Sequence, residues 1–178
     1  MTVAAIALLG TSADPPTRGH QVLLEGLLNR YGQVATWASD NPLKQHDAPL
    51  SLRAMLLSQL VEQLQDERLE LAQHLSSPYT LITLQRAAQH WPDRELVFVV
   101  GSDLASQIPR WKQSDGWLPQ CRLAIAPRKG WPLEEATLQA LRDLGGRLEL
   151  LDLEVPATAS SQLRQQPNEA QIPEAVWP

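Results

Sequence analysis

Short apolar runs alternate with amphipathic stretches along most of the chain. The runs that predict strands lie at residues 3–9, 34–38, 69–72, 95–100, 121–126 and 148–153. The first of them has the length and the Ala, Val and Ile content of a buried parallel strand. Apolar positions at helical spacing predict helices at about residues 19–31, 50–65, 79–91 and 133–144. This alternation predicts a doubly wound α/β fold with a mainly parallel sheet, right-handed crossovers and helices on both faces.

The polar segment at residues 10–20, which reads GTSADPPTRGH, joins the first predicted strand to the first predicted helix. Gly10 is predicted to open a turn, which Pro15 and Pro16 stiffen by fixing φ. A helix that begins directly after such a turn binds anions, because its first backbone N–H groups are free. The His20 side chain, one turn into the helix, can add a donor to the same anion. The small residues that would let a phosphate chain approach the backbone are Gly10, Thr11, Ser12 and Ala13.

Composition narrows the class of protein without naming a function. The 178 residues are 43% apolar and 20% charged, which suits one globular domain spanning residues 1–178. The net charge of −5 argues against a general nucleic-acid binder. The single Cys121 lies in an apolar run and is predicted to be buried filler, and no His/Cys cluster predicts a metal site. No signal sequence or 18-residue apolar span is present, so we expect a cytoplasmic protein that does not enter a membrane.

Residues 17–20, Thr-Arg-Gly-His, resemble the (H/T)xGH signature of the nucleotidyltransferase superfamily. The whole run of residues 10–20 resembles the opening of bacterial nicotinate-nucleotide adenylyltransferases, which reads roughly GGTFDPPHxGH. The matching positions are Asp14, Pro15, Pro16, Gly19 and His20. Thr11, Ala13 and Thr17 depart, since they replace a Gly, a Phe and a His. Thr at the last of these positions is usual in the related pantetheine-phosphate adenylyltransferases. The resemblance implies a Rossmann-like domain.

Three later segments resemble the same family at predicted strand and helix ends. Lys44 matches the Lys of a loop whose pattern is close to P-x-x-x-P-x-K. Tyr79 and Thr80 match a stretch that reads S-Y-T-x-x-T-L, whose backbone groups hold the pyridine carboxylate in the family. Gly101 and Asp103 match G-x-D-x-L, where a carboxylate can accept hydrogen bonds from ribose hydroxyls.

The resemblance continues towards the C-terminus. Trp111 resembles the tryptophan that stacks on the pyridine ring in the family, and Arg128 matches an Arg that follows a strand. Ser160, Ser161 and Arg164 match the second superfamily signature, which reads I-S-S-T-x-I-R, although the residues before them depart from it. The chain ends at residue 178, where relatives continue into a short helix, so we expect that helix to be short or truncated.

Structural roles compete for several of these residues. Ser77 is a candidate N-cap for a helix that has Pro78 at its first position, and Asp103 is a candidate helix N-cap. Arg53 matches an Arg of the family's R-x-x-M-L pattern, where a surface Arg is the alternative. Lys112 stands where a Tyr often follows the tryptophan in bacterial relatives, which leaves acceptor preference open.

The implied reaction is adenylyl transfer from ATP to nicotinate mononucleotide, without a covalent enzyme intermediate. The resemblance makes His20, Thr17 and Arg164 the catalytic residues. Those implied to bind ATP are Gly10, Thr11, Ser12, His20, Gly101, Asp103, Ser160, Ser161 and Arg164. Those implied to bind the pyridine nucleotide are Lys44, Tyr79, Thr80, Trp111 and Arg128. Magnesium is expected to be carried by the ATP phosphates, with few protein ligands.

Three alternatives to this reaction remain open. The acceptor could be phosphopantetheine, which the Thr17 pattern allows, or nicotinamide mononucleotide. A third hypothesis is a catalytically degenerate protein that binds nucleotide and regulates a partner, since Thr11, Ala13, Thr17 and Ala159 depart from the signatures. A homo-oligomer is compatible with all three. No nucleic-acid partner is expected.

Overall fold

A computed structural model describes residues 3–153 and contains a single sheet of six strands in that range. The strands are β1 (Ala5–Thr11), β2 (Gln33–Ala38), β3 (Leu69–Leu71), β4 (Glu95–Gly101), β5 (Arg122–Ala126) and β6 (Arg147–Leu150). Their order across the sheet is β3-β2-β1-β4-β5-β6, and all neighbours pair in parallel. This order reverses direction between β1 and β4, where doubly wound sheets open a crevice.

Six α-helices and three short 3₁₀ turns connect the strands of the described range. The helices are α1 (Arg18–Arg30), α2 (Leu50–Leu64), α3 (Thr80–His90), α4 (Ser102–Ala105), α5 (Ser114–Trp117) and α6 (Glu135–Asp143). The 3₁₀ turns are Gln73–Leu75, Ile108–Arg110 and Leu118–Gln120. No helix within residues 3–153 is long and apolar enough to cross a membrane.

Two apolar layers hold the helices to opposite faces of the sheet. Successive residues of β1 point to opposite faces, so Ala7 joins one layer and Leu8 the other. The first layer packs α1 and α2 on the sheet, and the second packs α3 and α6, with Trp117 of α5 fully buried in it. Cys121 is buried in the second layer, as predicted. The predicted doubly wound fold is confirmed.

Three local predictions were wrong. Gly10 does not open the turn, because β1 continues through it to Thr11; a Cβ at Gly10 would lie only 2.9 Å from the indole of Trp37 on β2. Ser77 does not cap α3: the helix begins at Thr80 and Ser77 Oγ accepts the backbone N–H of Tyr79 instead. Asp103 is not an N-cap, since it lies inside the first turn of α4. The last strand also ends three residues earlier than expected, at Leu150.

Candidate active site

A cavity of about 790 Å³ opens at the carboxyl ends of β1, β2, β4 and β5. This is the crevice that the strand order predicts for ligands. All residues within 3–153 that the resemblance implies to catalyse or to bind either substrate line it, whereas the small residue Ala13 is buried away from it. Those residues are Gly10, Thr11, Ser12, Thr17, His20, Lys44, Tyr79, Thr80, Gly101, Asp103, Trp111 and Arg128. Ser160, Ser161 and Arg164 lie outside the described residues, as does the end of the chain.

The loop between β1 and α1 forms one wall of the cavity, and contacts on its buried side hold it in place. Ala13 is fully buried with φ at +46°, a conformation that costs a non-glycine residue roughly 1–2 kcal/mol. Next to it, the carboxylate of Asp14 is 4% exposed and accepts the backbone N–H groups of Asp47 and Ala48 at 2.8 and 3.3 Å. The β1–α1 loop is therefore tied to the loop that precedes α2.

Arg53 holds the same two loops together. It is 2% exposed and its guanidinium donates to the carbonyl oxygens of Ser12, Ser39 and Ala48 at 2.8, 2.8 and 3.1 Å. It does not line the cavity, so it supports the cavity wall from behind. The sequence pointed to Arg53 as a candidate, but its partners are main-chain carbonyls of distant segments, which no local pattern reveals.

His20 connects the start of α1 to the cavity. Thr17 is the N-cap of α1, and its backbone N–H donates to His20 Nδ1 at 2.8 Å, which completes a capping box. Because Nδ1 accepts this hydrogen bond, the proton of the neutral ring lies on Nε2. Nε2 is 2.7 Å from Thr11 Oγ1 at the end of β1. Thr17 therefore caps the helix α1 and also lines the cavity.

The protonation state of His20 follows from its surroundings. Burial, followed in size by the positive charges of Arg128 and Lys44, lowers the pKa of its imidazole to about 4. The ring is therefore neutral at physiological pH. It can donate from Nε2, but it holds no charge and no second proton to release.

Two cations and one carboxylate stand near His20. Arg128 Nη1 donates to Asp103 Oδ2 at 2.8 Å, and both side chains are mostly buried, with 22% and 18% exposed. Lys44 is near enough to feel both charges: desolvation lowers the pKa of its ammonium, Asp103 opposes that effect and Arg128 adds to it. This end of the cavity is positive, which suits an anionic ligand.

The cavity also has aromatic side chains in its lining. Tyr79 and Trp111 line it, and the Lys112 ammonium lies 4.6 Å from the centre of the Tyr79 ring. The first turn of α3, which begins at Thr80, has no side-chain cap and no acidic residue. Its first N–H groups are thus available to a ligand anion. Trp131, 53% exposed at the rim, also lines the cavity and was not singled out from the sequence, because an isolated Trp on a loop carries no pattern.

Within the described range, no group of three or more His, Cys, Asp and Glu side chains is placed to hold a metal ion. Both carboxylates of the cavity are already engaged, Asp14 by backbone N–H groups and Asp103 by Arg128.

Comparisons with known proteins agree with this geometry. The model of the cytidylyltransferase-like family matches residues 8–168. A Synechocystis protein named probable nicotinate-nucleotide adenylyltransferase is 40% identical, over 96% of this chain and 93% of its own length. A Rhodopirellula baltica protein of the same name is 30% identical over 89% of this chain. The chain belongs to the nicotinate-nucleotide adenylyltransferase family. The predicted resemblance is confirmed.

A solved structure agrees with the fold of this adenylyltransferase family member. Plasmodium falciparum nicotinic acid mononucleotide adenylyltransferase, complexed with NaAD, superposes with a TM-score of 0.76 over 97% of this chain and 93% of its own. The two sequences are 18% identical, so this likeness concerns the arrangement of the sheet and helices. The six-stranded parallel sheet is thus that of the family.

Proposed function

We propose that the chain transfers the adenylyl group of ATP to nicotinate mononucleotide, which yields nicotinate adenine dinucleotide and pyrophosphate for NAD biosynthesis. One observation carries the proposal: a single cavity is lined by a neutral imidazole donor with two cations near it, and by aromatic side chains beside a helix N-terminus without a side-chain cap. The imidazole and the cations suit a polyphosphate, and the aromatic side chains with the helix N-terminus suit a flat ring that bears a carboxylate. The names of the most similar relatives support the same reaction.

Catalysis would consist of positioning and charge stabilisation, since the acceptor's own phosphate can attack the α-phosphorus in line. The bond between the α-phosphorus and the bridging oxygen breaks as the new P–O bond forms, and pyrophosphate leaves. His20 would provide the donor that meets the growing negative charge on the α-phosphate, and the positive charges of Lys44 and Arg128 would stabilise that charge. A donor of this kind contributes ~2.7–4 kcal/mol in oxyanion sites.

The carboxylate of Asp103 would bind the ribose of ATP. A Cβ at Gly101 would collide with Asp103 Oδ1, so the glycine lets this carboxylate lie against the end of β4. Ribose hydroxyls would then share Asp103 with Arg128, which now occupies its other oxygen. Arg128, assigned to the pyridine nucleotide from the sequence, would stand between the two substrates. Ser160, Ser161 and Arg164 are proposed to hold the β- and γ-phosphates.

Trp111 would stack on the pyridine ring, and the N-terminus of α3 at Thr80 would face the carboxylate of that ring. A helix N-terminus favours an anion by ~0.3–1 kcal/mol when exposed and by up to ~2 kcal/mol when partly buried. A neutral carboxamide gains much less from the same dipole. Acid acceptors are therefore expected to be preferred over amide acceptors.

The test is pyrophosphate release with Mg²⁺, ATP and a panel of acceptors. We expect turnover with nicotinate mononucleotide, and a kcat/KM at least about tenfold lower with nicotinamide mononucleotide. Phosphopantetheine should give none. Faster turnover with phosphopantetheine or the amide would replace the proposed acceptor. ATP binding by calorimetry without turnover on any acceptor would indicate a nucleotide-binding regulator instead. Both substrates are water-soluble, which fits the proposed cytoplasmic location.

A further inference from the structure

The hydroxyl of Thr11 stands between the His20 imidazole and the open cavity. We propose that Thr11 is the donor that meets the phosphate: His20 Nε2–H donates to Thr11 Oγ1, and Thr11 O–H donates to an oxygen of the α-phosphate. His20 then acts through Thr11 by fixing and polarising its hydroxyl. This inference rests on the proposed function, and it changes which atom of the chain touches the reacting phosphate.

The direction of the hydrogen bonds follows from the other side of the ring. The Thr17 backbone N–H can only donate, so His20 Nδ1 accepts and Nε2 carries the proton. At 2.7 Å from Nε2, Thr11 Oγ1 must accept that proton. The order of donors therefore runs from the backbone of Thr17 through the ring to the Thr11 oxygen.

The Thr11 hydroxyl still has its own proton to donate. Within residues 3–153, Oγ1 has no hydrogen-bond partner besides His20. Thr11 lines the cavity and is only partly buried. Donating to His20 is excluded because Nε2 already bears a proton, so the remaining acceptor must come from the cavity. Lys44 and Arg128 are the positive groups near His20, and their charges favour an anion as that acceptor.

The backbone of Thr11 is held in place, which makes the hydroxyl a fixed donor. The Thr11 carbonyl accepts the backbone N–H of Ser39 at 2.8 Å, and Thr11 pairs with Ala38 at the end of β2. A fixed donor costs little reorganisation when charge develops on the phosphate. Glycine, which the resembling run of the family carries here, offers no such group, so the relay is a feature of this chain.

Three substitutions of Thr11 distinguish a hydroxyl that donates to the phosphate from a side chain that only fills space. Thr11→Ser keeps the hydroxyl and should retain kcat within about threefold of wild type. The isosteric Thr11→Val replaces the hydroxyl with a methyl group and should lower kcat about 30–100-fold, with a smaller change in the KM for ATP. Thr11→Gly opens the space, lets His20 Nε2–H reach the phosphate directly, and should fall between the two. A Thr11→Val enzyme at least as fast as wild type, or faster than Thr11→Gly, would overturn the relay.

A second readout does not depend on turnover. In wild type and Thr11→Ser, the His20 Nε2 proton should be protected from exchange and visible by NMR; in Thr11→Val it should exchange rapidly. Equal protection in all three proteins would also overturn the proposal. Thermal denaturation of each variant checks the fold, and Thr11→Ala replaces Thr11→Val if the latter fails to fold.

The two proposals fail separately. If wild type releases no pyrophosphate with any acceptor, the proposed function falls. The relay is then decided by the NMR readout together with the Kd of Mg²⁺–ATP, which should weaken several-fold in Thr11→Val and not in Thr11→Ser. An unchanged Kd in that case counts against Thr11 as the phosphate donor.

Discussion

His20 serves the helix with one nitrogen and the cavity with the other. Nδ1 accepts from the N-cap backbone and Nε2 faces Thr11. Truncating the His20 side chain to alanine therefore has two effects: it removes the capping interaction of α1 and it removes the donor at the cavity. Glutamine separates them, because Gln at this position of a capping box can accept the same backbone N–H.

We expect His20→Gln and His20→Ala to lose about 100–1,000-fold in kcat, the range for an anchored oxyanion donor. His20→Ala should also lose ~0.5–2 kcal/mol in the free energy of unfolding, while His20→Gln keeps most of it. Steady-state kinetics and urea unfolding measure the two effects. Near-normal kcat in both variants would remove His20 from the mechanism.

The pKa of His20 predicts how stability depends on pH. The unfolded chain takes up this proton near pH 6.5 and the folded protein only near pH 4, so the unfolded state binds more protons between these values. The free energy of unfolding should therefore decrease as pH falls from about 7 to 5, by ~2 kcal/mol from this group. His20→Gln should lack this part of the pH dependence in urea unfolding. The same dependence in both proteins would contradict a neutral His20.

Single residues were predictable where a local pattern carries the chemistry. The segment from Thr17 to His20 predicts a helix N-terminus with a side-chain donor, and the position of Asp103 after a predicted strand indicates a carboxylate at the edge of the sheet. The bonds from Thr11 to His20 and from Arg128 to Asp103 could not be predicted, since they join different elements. The roles of the site residues in the reaction stay predictions.

At the scale of elements, two loops behave as one support because Arg53 and Asp14 bind both. Arg53→Met would leave three carbonyl oxygens without their donor, at ~1–3 kcal/mol for each buried group. We expect a loss of at least ~3 kcal/mol in the free energy of unfolding, together with a higher KM for ATP. Arg53→Lys keeps the charge and should recover part of both.

Urea unfolding and kinetics on the same samples test this support role. If Arg53→Met unfolds like wild type, the guanidinium does not hold the loops. If it binds ATP normally despite lower stability, the loops keep their shape without it. Arg68 provides the control, since its side chain is half exposed and it lies just before β3, at the opposite end of the sheet from the cavity: Arg68→Met should leave the KM for ATP unchanged.

Long elements followed from the pattern of apolar residues, whereas short ones did not. The six strands and the helices α1, α2, α3 and α6 were predicted within a few residues of their ends. The four-residue helices α4 and α5 were missed, because one turn shows no periodicity. The N-terminus of α3 was misplaced because Ser77 and Pro78 mimic a cap that the backbone does not use.

At the scale of the whole molecule, the two ends of the sheet have different tasks. The carboxyl ends of the strands carry the cavity, and the amino ends of β4, β5 and β6 carry an ion-pair network. Arg122 bonds Glu95 and Glu149 at 2.8 Å each, and Arg147 approaches Glu95 at 3.8 Å. Arg122 lies at the opposite end of its strand from the cavity.

Arg122→Gln should therefore lower the free energy of unfolding by ~1–2 kcal/mol and leave kcat/KM unchanged. Asp103→Asn should instead raise the KM for ATP about tenfold, because a charged acceptor for ribose is lost, and should also lower the free energy of unfolding, because Arg128 loses its ion-pair partner. Urea unfolding and initial rates on both variants make the comparison. An active-site defect in Arg122→Gln would mean that the two ends are coupled.

The proposed adenylyl transfer is tested most directly by following the α-phosphorus of ATP. The protein is incubated with Mg²⁺, nicotinate mononucleotide and ATP labelled at that phosphorus, and the products are separated. We expect the label to appear in nicotinate adenine dinucleotide and the released pyrophosphate to be unlabelled. Label that stays in ATP, is released as AMP or becomes bound to the protein would contradict the proposed transfer.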